Sequence, residues 1–579
     1  MRKFGIIFVL TIIIISLNVG CKKSINVENL KKGEIFVAGL QSMPASLNYF
    51  VDYNSTSVLI GSMLYESLCT RDPVTLELKG LLAKSWSVSE DKTTYTFKLN
   101  PDAKWADGSP VTSEDAIFTY ETIMNPENLT GLFRSGYEDE FEKIYAPDKN
   151  TLVFKAKQKR WTNLISASSF TILPKKYYEN KDFNRDFNLT LPEGSGPYRI
   201  KSVQTDRFVQ LEKREDYWGY SLPYLKDYYK FKEIQYKIIS DEEIQYESLK
   251  KGDIDFLAIY SAFKWYNRVY KNPIDAITKN WILAKRVWNY RPIGFQSFYM
   301  NMRRDKFKDV RVRKAMNLLL NFDLLQEKLM YKQYVKLNSY FPEYFNNDRE
   351  PIKFDTDEAR RLLTEAGWDD IDADGVLKNK NGDRFEVDFT YHDQSVEKHL
   401  TIYKEECAKV GVMINLNLVA PSAYRKKCFV DYDYDMIWIN WSGTLFPEIE
   451  GLWRGKYGDE VNSNNVGGYK NDNLDKLLDV YLEEFDESKR KIMMKTIDDI
   501  LISDYPTVLL WTAPYTRIMY WNKFDMPEDI LGKYSDEDAV NGRWSVSPDK
   551  ERALIDALTN NVALPAENIE YYYDSNLIK

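Results

Sequence analysis

Histidine and the common catalytic motifs are nearly absent from this chain. Its 579 residues include 2 His, His392 and His399, and neither stands in an H-E-x-x-H frame. The sequence also lacks a G-x-x-x-x-G-K-[ST] loop and a G-x-S-x-G elbow, so a zinc protease, an ATPase and a serine hydrolase are disfavoured. We therefore expect no enzyme and assign no catalytic residue. A secreted hydrolase with paired carboxylates stays an alternative, because 87 acidic residues guarantee close pairs.

Cysteine is equally scarce, with 4 residues at positions 21, 69, 407 and 428. If Cys21 is modified, three remain, which is an odd number for an oxidising compartment. Cys407 and Cys428 are candidates for a disulfide, but spacing alone does not test the geometry. Buried free thiols are the favoured interpretation.

Only one long apolar run occurs, at the start of the chain. Arg2 and Lys3 precede the apolar stretch 4–19, and Gly20-Cys21 follows. This pattern predicts a secretory signal, because the run is too short for a confident membrane-spanning helix. Gly20-Cys21 resembles a lipobox, although Asn18 stands where Leu is usual, so we expect Cys21 to be lipidated. Plain secretion is the alternative.

Neither sign of charge dominates a long stretch of the sequence. The net charge is −8 with both signs interspersed, so there is no basic stripe and no nucleic-acid partner is expected. Hydrophobic residues make up 44% of the chain, and 14 Trp and 41 Tyr exceed what cores require. Such side chains suit binding clefts, because they offer large contact area with few rotatable bonds.

No Gly/Ser-rich linker divides the chain, although its length suits about three or four domains. Residues 35–40 read as a buried strand and residues 55–70 as an apolar helix. Thr112 and Asp115 form a capping-box pattern that opens a helix over 113–124. Strand-helix-strand orders over 231–256 and 385–419 imply parallel crossovers. We predict an α/β fold of mixed sheets with flanking helices, in two lobes joined by crossing strands, or α+β if antiparallel strands dominate near 95–155.

Three charged or metal-like patterns have simpler structural explanations. Asp370-x-Asp372-x-Asp374-Gly375 mimics the start of a calcium loop, but its twelfth position is Asn381, so a solvated hairpin is favoured. His392 and His399 alone make a weak metal site. The Asp309-Val-Arg-Val-Arg-Lys segment is interpreted as a helix start with structural ion pairs. We assign no metal ligand and no cofactor.

The loop Trp441-Ser442-Gly443-Thr444 is the best binding candidate from the residues alone. It follows a predicted buried strand over 433–440, and ligands of α/β sheets tend to sit beyond strand ends. Gly443 would let a peptide backbone approach closely, and Trp441 would offer a stacking wall. An ordinary loop with a buried Trp is the alternative.

Residues 76–126 carry the most specific pattern, in which an apolar segment, two strands, a tight turn and a capped helix follow one another. This string closely resembles the signature of family 5 extracellular solute-binding proteins, the receptors of ABC importers for peptides, nickel and some oligosaccharides. Further landmarks of that family stand in their usual order at 172–177, 196–198, 252–255, 309–315, 365–368 and 469–478. Segments 262–265, 291–296, 301–307, 332–334 and 338–341 resemble the microcin C-type (Yej) oligopeptide-binding proteins.

The resemblance implies a two-lobed periplasmic-binding-protein-like fold (type II, the large three-domain class) with a hinge. The implied organisation is a signal peptide over 1–21, lobe 1 over 22–63, an extra domain over 64–193, lobe 1 again over 194–295, lobe 2 over 296–510, and a return to lobe 1 over 511–579. It also implies an extracytoplasmic monomer anchored by lipid, which hands its ligand to a permease with ATPase subunits on separate chains.

The resemblance also implies which loops hold the ligand. Ser42-Met43-Pro44 and Trp441–Thr444 occupy the places of the facing segments that pair with an oligopeptide as an added strand. Many relatives carry an Asp after the loop Trp for the ligand's α-amino group. Here Ser442-Gly443-Thr444 follows, with no acid until Glu448, so a blocked, long or modified peptide stays open. A sugar or metal-chelate ligand is the alternative on the same fold.

Overall fold

The computed structural model describes residues 25–345, 348–447 and 449–577. The predicted signal peptide with Cys21, and Glu448, lie outside the described residues. Within those ranges no helix is long and apolar enough to cross a membrane.

The strands are short and spread over the whole described chain. They are β1 (Ile35–Leu40), β2 (Cys69–Arg71), β3 (Leu78–Gly80), β4 (Ala83–Val88), β5 (Thr94–Leu99), β6 (Phe141–Asp148), β7 (Thr151–Ala156), β8 (Tyr198–Gln204), β9 (Phe208–Lys213), β10 (Glu233–Ile238), β11 (Phe256–Ala258), β12 (Ile282–Trp288), β13 (Phe295–Met300), β14 (Val335–Lys336), β15 (Trp368–Ile371), β16 (Leu377–Asn379), β17 (Glu386–Tyr391), β18 (Met413–Leu418), β19 (Met436–Trp441), β20 (Thr507–Leu509), β21 (Trp511–Thr512), β22 (Thr516–Trp521), β23 (Phe524–Asp525), β24 (Ser545–Val546) and β25 (Glu570–Tyr572).

Helices alternate with these strands. They are α1 (Val27–Leu30), α2 (Ser55–Leu64), α3 (Ser113–Met124), α4 (Gly131–Glu140), α5 (Asn163–Ser168), α6 (Lys175–Tyr178), α7 (Glu242–Lys251), α8 (Ala262–Tyr266), α9 (Asp275–Thr278), α10 (Val310–Leu318), α11 (Phe322–Leu325), α12 (Pro342–Phe345), α13 (Thr356–Glu365), α14 (Glu397–Ala408), α15 (Pro421–Arg425), α16 (Glu450–Trp453), α17 (Asp472–Glu483), α18 (Glu487–Asp504), α19 (Val540–Arg543) and α20 (Pro548–Asn560).

Lobe 1 is built on an eight-stranded mixed sheet of order β25-β12-β22-β11-β1-β10-β9-β8. β10 and β11 flank β1 and run parallel to it, with α7 between them in sequence, which is the predicted crossover. Side chains of a strand alternate between faces. Phe36 therefore enters the core shared with the extra domain, whereas Val37 enters a second core on the opposite face.

Lobe 2 is built on a five-stranded sheet of order β18-β17-β19-β13-β20. β17 and β18 are parallel and α14 connects them, as the second strand-helix-strand pattern predicts. Both faces of the sheet are covered, because Phe298 and Val387 belong to one buried cluster while Tyr299 and Ile437 belong to another. Burial on both faces explains why these strands read as near-continuous apolar runs.

The extra domain is an antiparallel sheet of order β4-β5-β7-β6. Its rings Phe97 and Phe154 join the same buried cluster as Phe36 of lobe 1. The domain is therefore packed onto lobe 1 through a continuous apolar core. The molecule is a mixed α/β fold, in which this four-stranded sheet is wholly antiparallel and the two larger sheets contain both kinds of pairing.

Two segments connect the large sheets. Residues 289–294 lead from β12 of lobe 1 to β13 of lobe 2, and residues 513–515 lead back to β22. Between them, Gln333 Nε2 donates to the carbonyl of Ala262 (2.8 Å), and Tyr331 stacks on Tyr266 at 4.6 Å between ring centres. These two crossings, with the local packing beside them, connect the lobes and are called here the hinge.

The helix predicted over 55–70 is shorter than predicted, because α2 ends at Leu64. Tyr65 already has an extended backbone, and Leu68 N–H donates to Phe170 of the extra domain instead of to a helical carbonyl. The Gly196 N–H donates to the carbonyl of Leu64 at 2.8 Å. The apolar run is thus continued by tertiary pairing and not by helix.

Cys69, Cys407 and Cys428 are buried free thiols. Burial raises the pKa of the Cys69 and Cys428 thiols to about 12 and raises that of Cys407 as well. These thiols are therefore protonated at neutral pH and pack as small apolar groups.

Candidate functional site

The loop Ser42-Met43-Pro44 follows the end of β1. Ser42 is exposed and borders a cavity of about 420 Å³, whereas Met43 is half-buried against the lobe 1 core and Pro44 is buried. Of the three predicted ligand-binding residues, the structure places only Ser42 on this cavity.

The loop Trp441-Ser442-Gly443-Thr444 begins where β19 ends. Trp441 is half-buried in lobe 2, and its indole N–H donates to the Tyr299 hydroxyl at 2.7 Å. Ser442 and Thr444 are exposed, and Gly443 and Thr444 border a second cavity of about 350 Å³. Trp441 therefore holds the loop to lobe 2, while Ser442 and Thr444 are open to solvent.

Gly443 makes its close backbone approach to the first crossing segment. A methyl group at Gly443 would lie 2.3 Å from the carbonyl carbon of Pro292, and one at Gly294 would lie 2.1 Å from the carbonyl oxygen of Trp441. Gly294 also has a φ of +61°, which side chains rarely adopt. The candidate ligand loop is therefore in contact with the hinge itself.

The two cavities meet at Asp538, which borders both. This residue belongs to the segment 533–541, which lies beyond the second crossing. The cavity at Ser42 is lined by residues of lobe 1 alone, whereas the cavity at Thr444 is lined by residues of both lobes, and Asp538 is common to the two linings.

An acidic group lies in the space formed by these two cavities. The Tyr260 hydroxyl donates to Glu537, and the Asp538 amide donates to the Asp536 carboxylate at 3.2 Å. Within the described ranges, the Asp538 carboxylate itself takes part in no hydrogen bond or ion pair. Burial, together with the charges of Asp536 and Glu537, raises the pKa of Asp538 to about 7. A buried carboxylate among like charges favours a cation beside it.

Basic groups lie on the hinge side of the same space. Arg291 borders the second cavity, and its guanidinium reaches the carbonyls of Ala513 and Tyr515 at 3.4 and 3.5 Å. Burial lowers the pKa of Arg291, and Glu537 and Asp536 oppose that shift. The site therefore offers both signs of charge, with carboxylates in excess.

Sequence reasoning did not assign Asp536, Glu537, Asp538 or Arg291 to the site. The run Ser535-Asp536-Glu537-Asp538 is a visible signal, since three consecutive acids precede a short helix. Its position opposite the Trp441 loop depends on the second crossing, which no local pattern reveals.

The extra domain contacts lobe 2 on the far side of the same space. Arg160 forms an ion pair with Glu450 at 2.8 Å, and Trp161 is buried between Tyr481 and Phe446, with ring centres 5.8 and 6.0 Å away. The Trp161 amide also donates to the Leu482 carbonyl at 3.0 Å. These contacts join the extra domain to lobe 2.

The charged patterns that resembled metal sites are occupied by ion pairs. Asp370 pairs with Lys378 at 2.8 Å, and Arg384 lies 2.8 Å from Asp372 and 3.2 Å from Asp374. β15 and β16 form a hairpin around them, as predicted. In the part of the chain that the structure describes, no group of three or more His, Cys, Asp or Glu side chains is placed to hold a metal ion.

His392 and His399 lie against aromatic rings. His392 meets Tyr424 edge-on at 4.6 Å, and His399 stacks on Trp511 at 5.5 Å. Asp309 caps α10 through the Arg311 amide at 2.8 Å, and Arg313 donates to three backbone carbonyls. The structural interpretation of that charged helix start is confirmed.

Residues 77–463, more than half of the chain, match the model of the bacterial extracellular solute-binding proteins, family 5 Middle. The chain belongs to this family. The resemblance read from residues 76–126 and the later landmarks is thereby confirmed. The probable peptide-binding protein YejA of Agrobacterium fabrum is 26% identical over 519 residues, covering 81% of this chain and 83% of that protein.

Solved structures share the fold of this family 5 protein. An oligopeptide-binding protein from Thermotoga maritima superposes with a TM-score of 0.73 at 20% identity, covering 91% of this chain and 99% of that one. The oligopeptide-binding protein AppA from Bacillus subtilis, in complex with a nonapeptide, gives 0.70 at 22% identity, covering 89% and 99%. The two-lobed periplasmic-binding-protein fold predicted from the sequence is confirmed.

Proposed function

We propose that this protein is a membrane-tethered receptor that captures oligopeptides between its lobes for an ABC importer. The observation that carries the proposal is the cavity at Thr444, which residues of both lobes line and which shares Asp538 with the lobe 1 cavity at Ser42. Family membership and the peptide-binding relative support the ligand class.

Backbone pairing supplies the main affinity in this proposal. The amide N–H groups of Ser42, Met43, Ser442 and Thr444 form no hydrogen bond with another described residue. They belong to loops of different lobes. An extended peptide between them would receive main-chain hydrogen bonds from both sides, whatever its side chains are.

The peptide's α-ammonium group is assigned to Asp538. In the loop, Trp441 is followed by Ser442-Gly443-Thr444, so the loop lacks the acid that many relatives carry after this Trp. Asp538 offers a carboxylate in the same space without a partner among the described residues. A free amino terminus then contributes a charge-assisted hydrogen bond, and Arg291 lies close enough to the second cavity to meet a carboxyl group.

Calorimetry with tetraalanine and its N-acetyl form tests this assignment. We expect the free peptide to bind at least about 10-fold more tightly, and Asp538→Asn to remove that preference. Asp549→Asn is the matched control, since Asp549 is exposed on α20 and borders neither cavity. Equal affinity for both peptides in the unmodified protein would reject the amine assignment. Absence of binding by any peptide mixture would reject the proposed function.

The ligand leaves unchanged in this proposal, because the protein carries no chemical step. Mass spectrometry of a bound peptide before and after long incubation tests this, and appearance of cleaved fragments would favour the hydrolase alternative. Native mass spectrometry of freshly purified protein separates peptides from sugars and metal chelates by the mass that remains bound.

The tether and the partners belong to the same proposal. Cys21 would carry the lipid and hold a monomer at the outer face of the membrane, where a permease with separate ATPase subunits takes the ligand. Detergent partitioning of the intact protein and of Cys21→Ala tests the anchor. A Cys21→Ala protein that stays in the membrane fraction would contradict it.

A further inference from the structure

A further cavity lies away from the two cavities that Asp538 borders. Its volume is about 600 Å³, and its lining comes from residues 49–62 and 197–229 of lobe 1 and from residues 65–81 and 132–171 of the extra domain. Lobe 2 and the segment 533–541 contribute nothing to this lining. This cavity, called here the aromatic cavity, is therefore a site of its own. Its size suits a small organic ligand.

The charge of this cavity has one sign. Its lining contains two carboxyl groups, those of Glu66 and Glu140, and no Lys, Arg or His. Eight of its lining residues are Tyr or Phe. An anion would find no positive partner here, whereas a cation would find both carboxylates and the electron-rich faces of aromatic rings.

Of the two carboxyl groups in the lining, Glu66 is the one whose partners we describe. It is 6% exposed, and it accepts hydrogen bonds from the Tyr217 hydroxyl and from the Trp218 indole N–H at 3.0 Å. Both donors are neutral, and no described Lys or Arg approaches Glu66 within ion-pair distance. The nearby Arg214 instead donates to the carbonyls of Gly194 and Gly196, at 3.0 Å each. A buried carboxylate without a counter-ion is costly, and a cationic ligand would offset that cost.

The aromatic wall is already assembled. Tyr49 stacks on Phe50 at 4.4 Å, Phe50 lies 4.9 Å from Phe133, and Tyr53 meets Phe133 edge-on at 5.5 Å. Tyr53 is 58% exposed, so the wall reaches the solvent at the cavity mouth. Rings held by one another bind a ligand without first losing rotamer freedom.

We propose that the aromatic cavity binds an organic cation with an apolar body, such as an aryl or alkyl ammonium compound. The ammonium group would sit at Glu66, and the apolar body would lie against the rings of Tyr49, Phe50, Tyr53 and Phe133. The site is independent of the peptide space, so both ligands would bind at once.

Calorimetry with benzyltrimethylammonium chloride tests the proposal on the purified protein. Sodium phenylmethanesulfonate, of similar shape and opposite charge, is the matched probe. We expect the cation to bind and the sulfonate to bind at least about 10-fold more weakly. Binding of both salts with equal affinity, or of neither, overturns the proposal.

Gly136 offers a plug for the same cavity. It lies in α4 and borders the cavity, and a methyl group added there meets no atom within 4 Å. We expect Gly136→Leu to fold normally and to weaken binding of benzyltrimethylammonium at least about 10-fold. Gly131→Leu on the same helix is the control, because Gly131 is not part of the lining. Undiminished binding by Gly136→Leu would place the cation elsewhere and overturn the proposal.

Glu66→Gln separates charge from shape. It keeps the side-chain volume and removes the negative charge, so we expect the affinity for benzyltrimethylammonium to fall at least about 10-fold. Tetraalanine titrated into the same variant reports the peptide site, whose affinity should be unchanged. Loss of peptide binding alone would therefore count against the proposed function. Loss of cation binding alone would support the assignment of the cation to Glu66 in the aromatic cavity.

Discussion

The guanidinium of Arg160 donates to the carboxylate of Glu450 over 2.8 Å, across 290 positions of sequence. This pair joins the extra domain to lobe 2, although that domain shares its core with lobe 1. Both side chains are less than one-third exposed. The extra domain thus contacts both lobes, and a change in the angle between the lobes would alter its contact with lobe 2.

Trp161 is predicted to stabilise the closed form. Its ring is buried against Tyr481 and Phe446, contacts that exist only while the extra domain meets lobe 2. We expect Trp161→Ala to weaken peptide affinity at least about 10-fold, because closure must supply its preference from fewer contacts. Small-angle scattering should show a larger radius of gyration for the liganded variant.

Trp86→Ala is the control for that experiment, since Trp86 lies in β4 of the same domain and packs on the core shared with lobe 1. It should lower stability without changing closure. A Trp161→Ala protein with unchanged affinity and unchanged compaction would refute the role of Trp161.

Gly294 is predicted to be intolerant of a side chain for two reasons that a control can separate. Its φ is +61°, and a methyl group would lie 2.1 Å from the Trp441 carbonyl oxygen. Gly382 has a φ of +83° with no atom near such a methyl group. We expect Gly382→Ala to cost about 1 kcal/mol from backbone strain alone, and Gly294→Ala to cost about 2 kcal/mol more. Urea unfolding measures both, and equal costs would show that the hinge accommodates the methyl group.

Glu66 is predicted to make stability depend on pH. Burial raises its pKa from 4.5 to about 7, so the folded state holds the proton more tightly than the unfolded state. The contribution to stability is fully present below pH 4.5 and is lost as the pH rises to about 7. The loss amounts to about 3 kcal/mol. Unfolding measured over this window should show a flatter profile for Glu66→Gln. Parallel profiles for both proteins would contradict the shift.

Asp255 is predicted to be indispensable for folding. It forms an ion pair with Lys523 at 2.9 Å, with both side chains fully buried, and it accepts the Val37 amide at 2.9 Å. Asp255→Ala leaves the buried ammonium group of Lys523 without a carboxylate, with the Leu30 carbonyl at 3.3 Å still accepting from it, so we expect a loss of about 3 to 5 kcal/mol. Glu77→Ala breaks an exposed pair with Lys79 and should cost less than about 1 kcal/mol. Similar losses in chemical denaturation would mean that water reaches Lys523.

The sequence predicted the local elements well where the signal is local. β1 occupies residues 35–40 as predicted, and α3 spans Ser113–Met124 with the capping box of Thr112 and Asp115 in place. Alternation, capping chemistry and turn residues act over a few positions, so a single sequence displays them. The family signature then supplied the two-lobed arrangement that these patterns only suggested.

The site was less accessible to sequence reasoning because its parts meet through long-range packing. Asp538 reaches the cavities only after the second crossing, and Trp161 is buried by a lobe that begins far downstream. The predicted loops themselves divide by role. Trp441 supports its loop from behind, Gly443 touches the hinge, and Pro44 is buried, while Ser42 and Thr444 face the cavities. No pattern within either loop distinguishes these roles.

The two crossings also determine the order in which the halves can be completed during synthesis. Lobe 2 draws its five strands from one uninterrupted stretch, from β13 to β20. The lobe 1 sheet instead holds an opening between β11 and β12 that only β22 fills, and β22 is among the last strands to be made. A nascent chain would therefore complete lobe 2 before lobe 1, although lobe 1 contains the first strand. Any product ending before Thr516 would carry unpaired strand edges prone to aggregation.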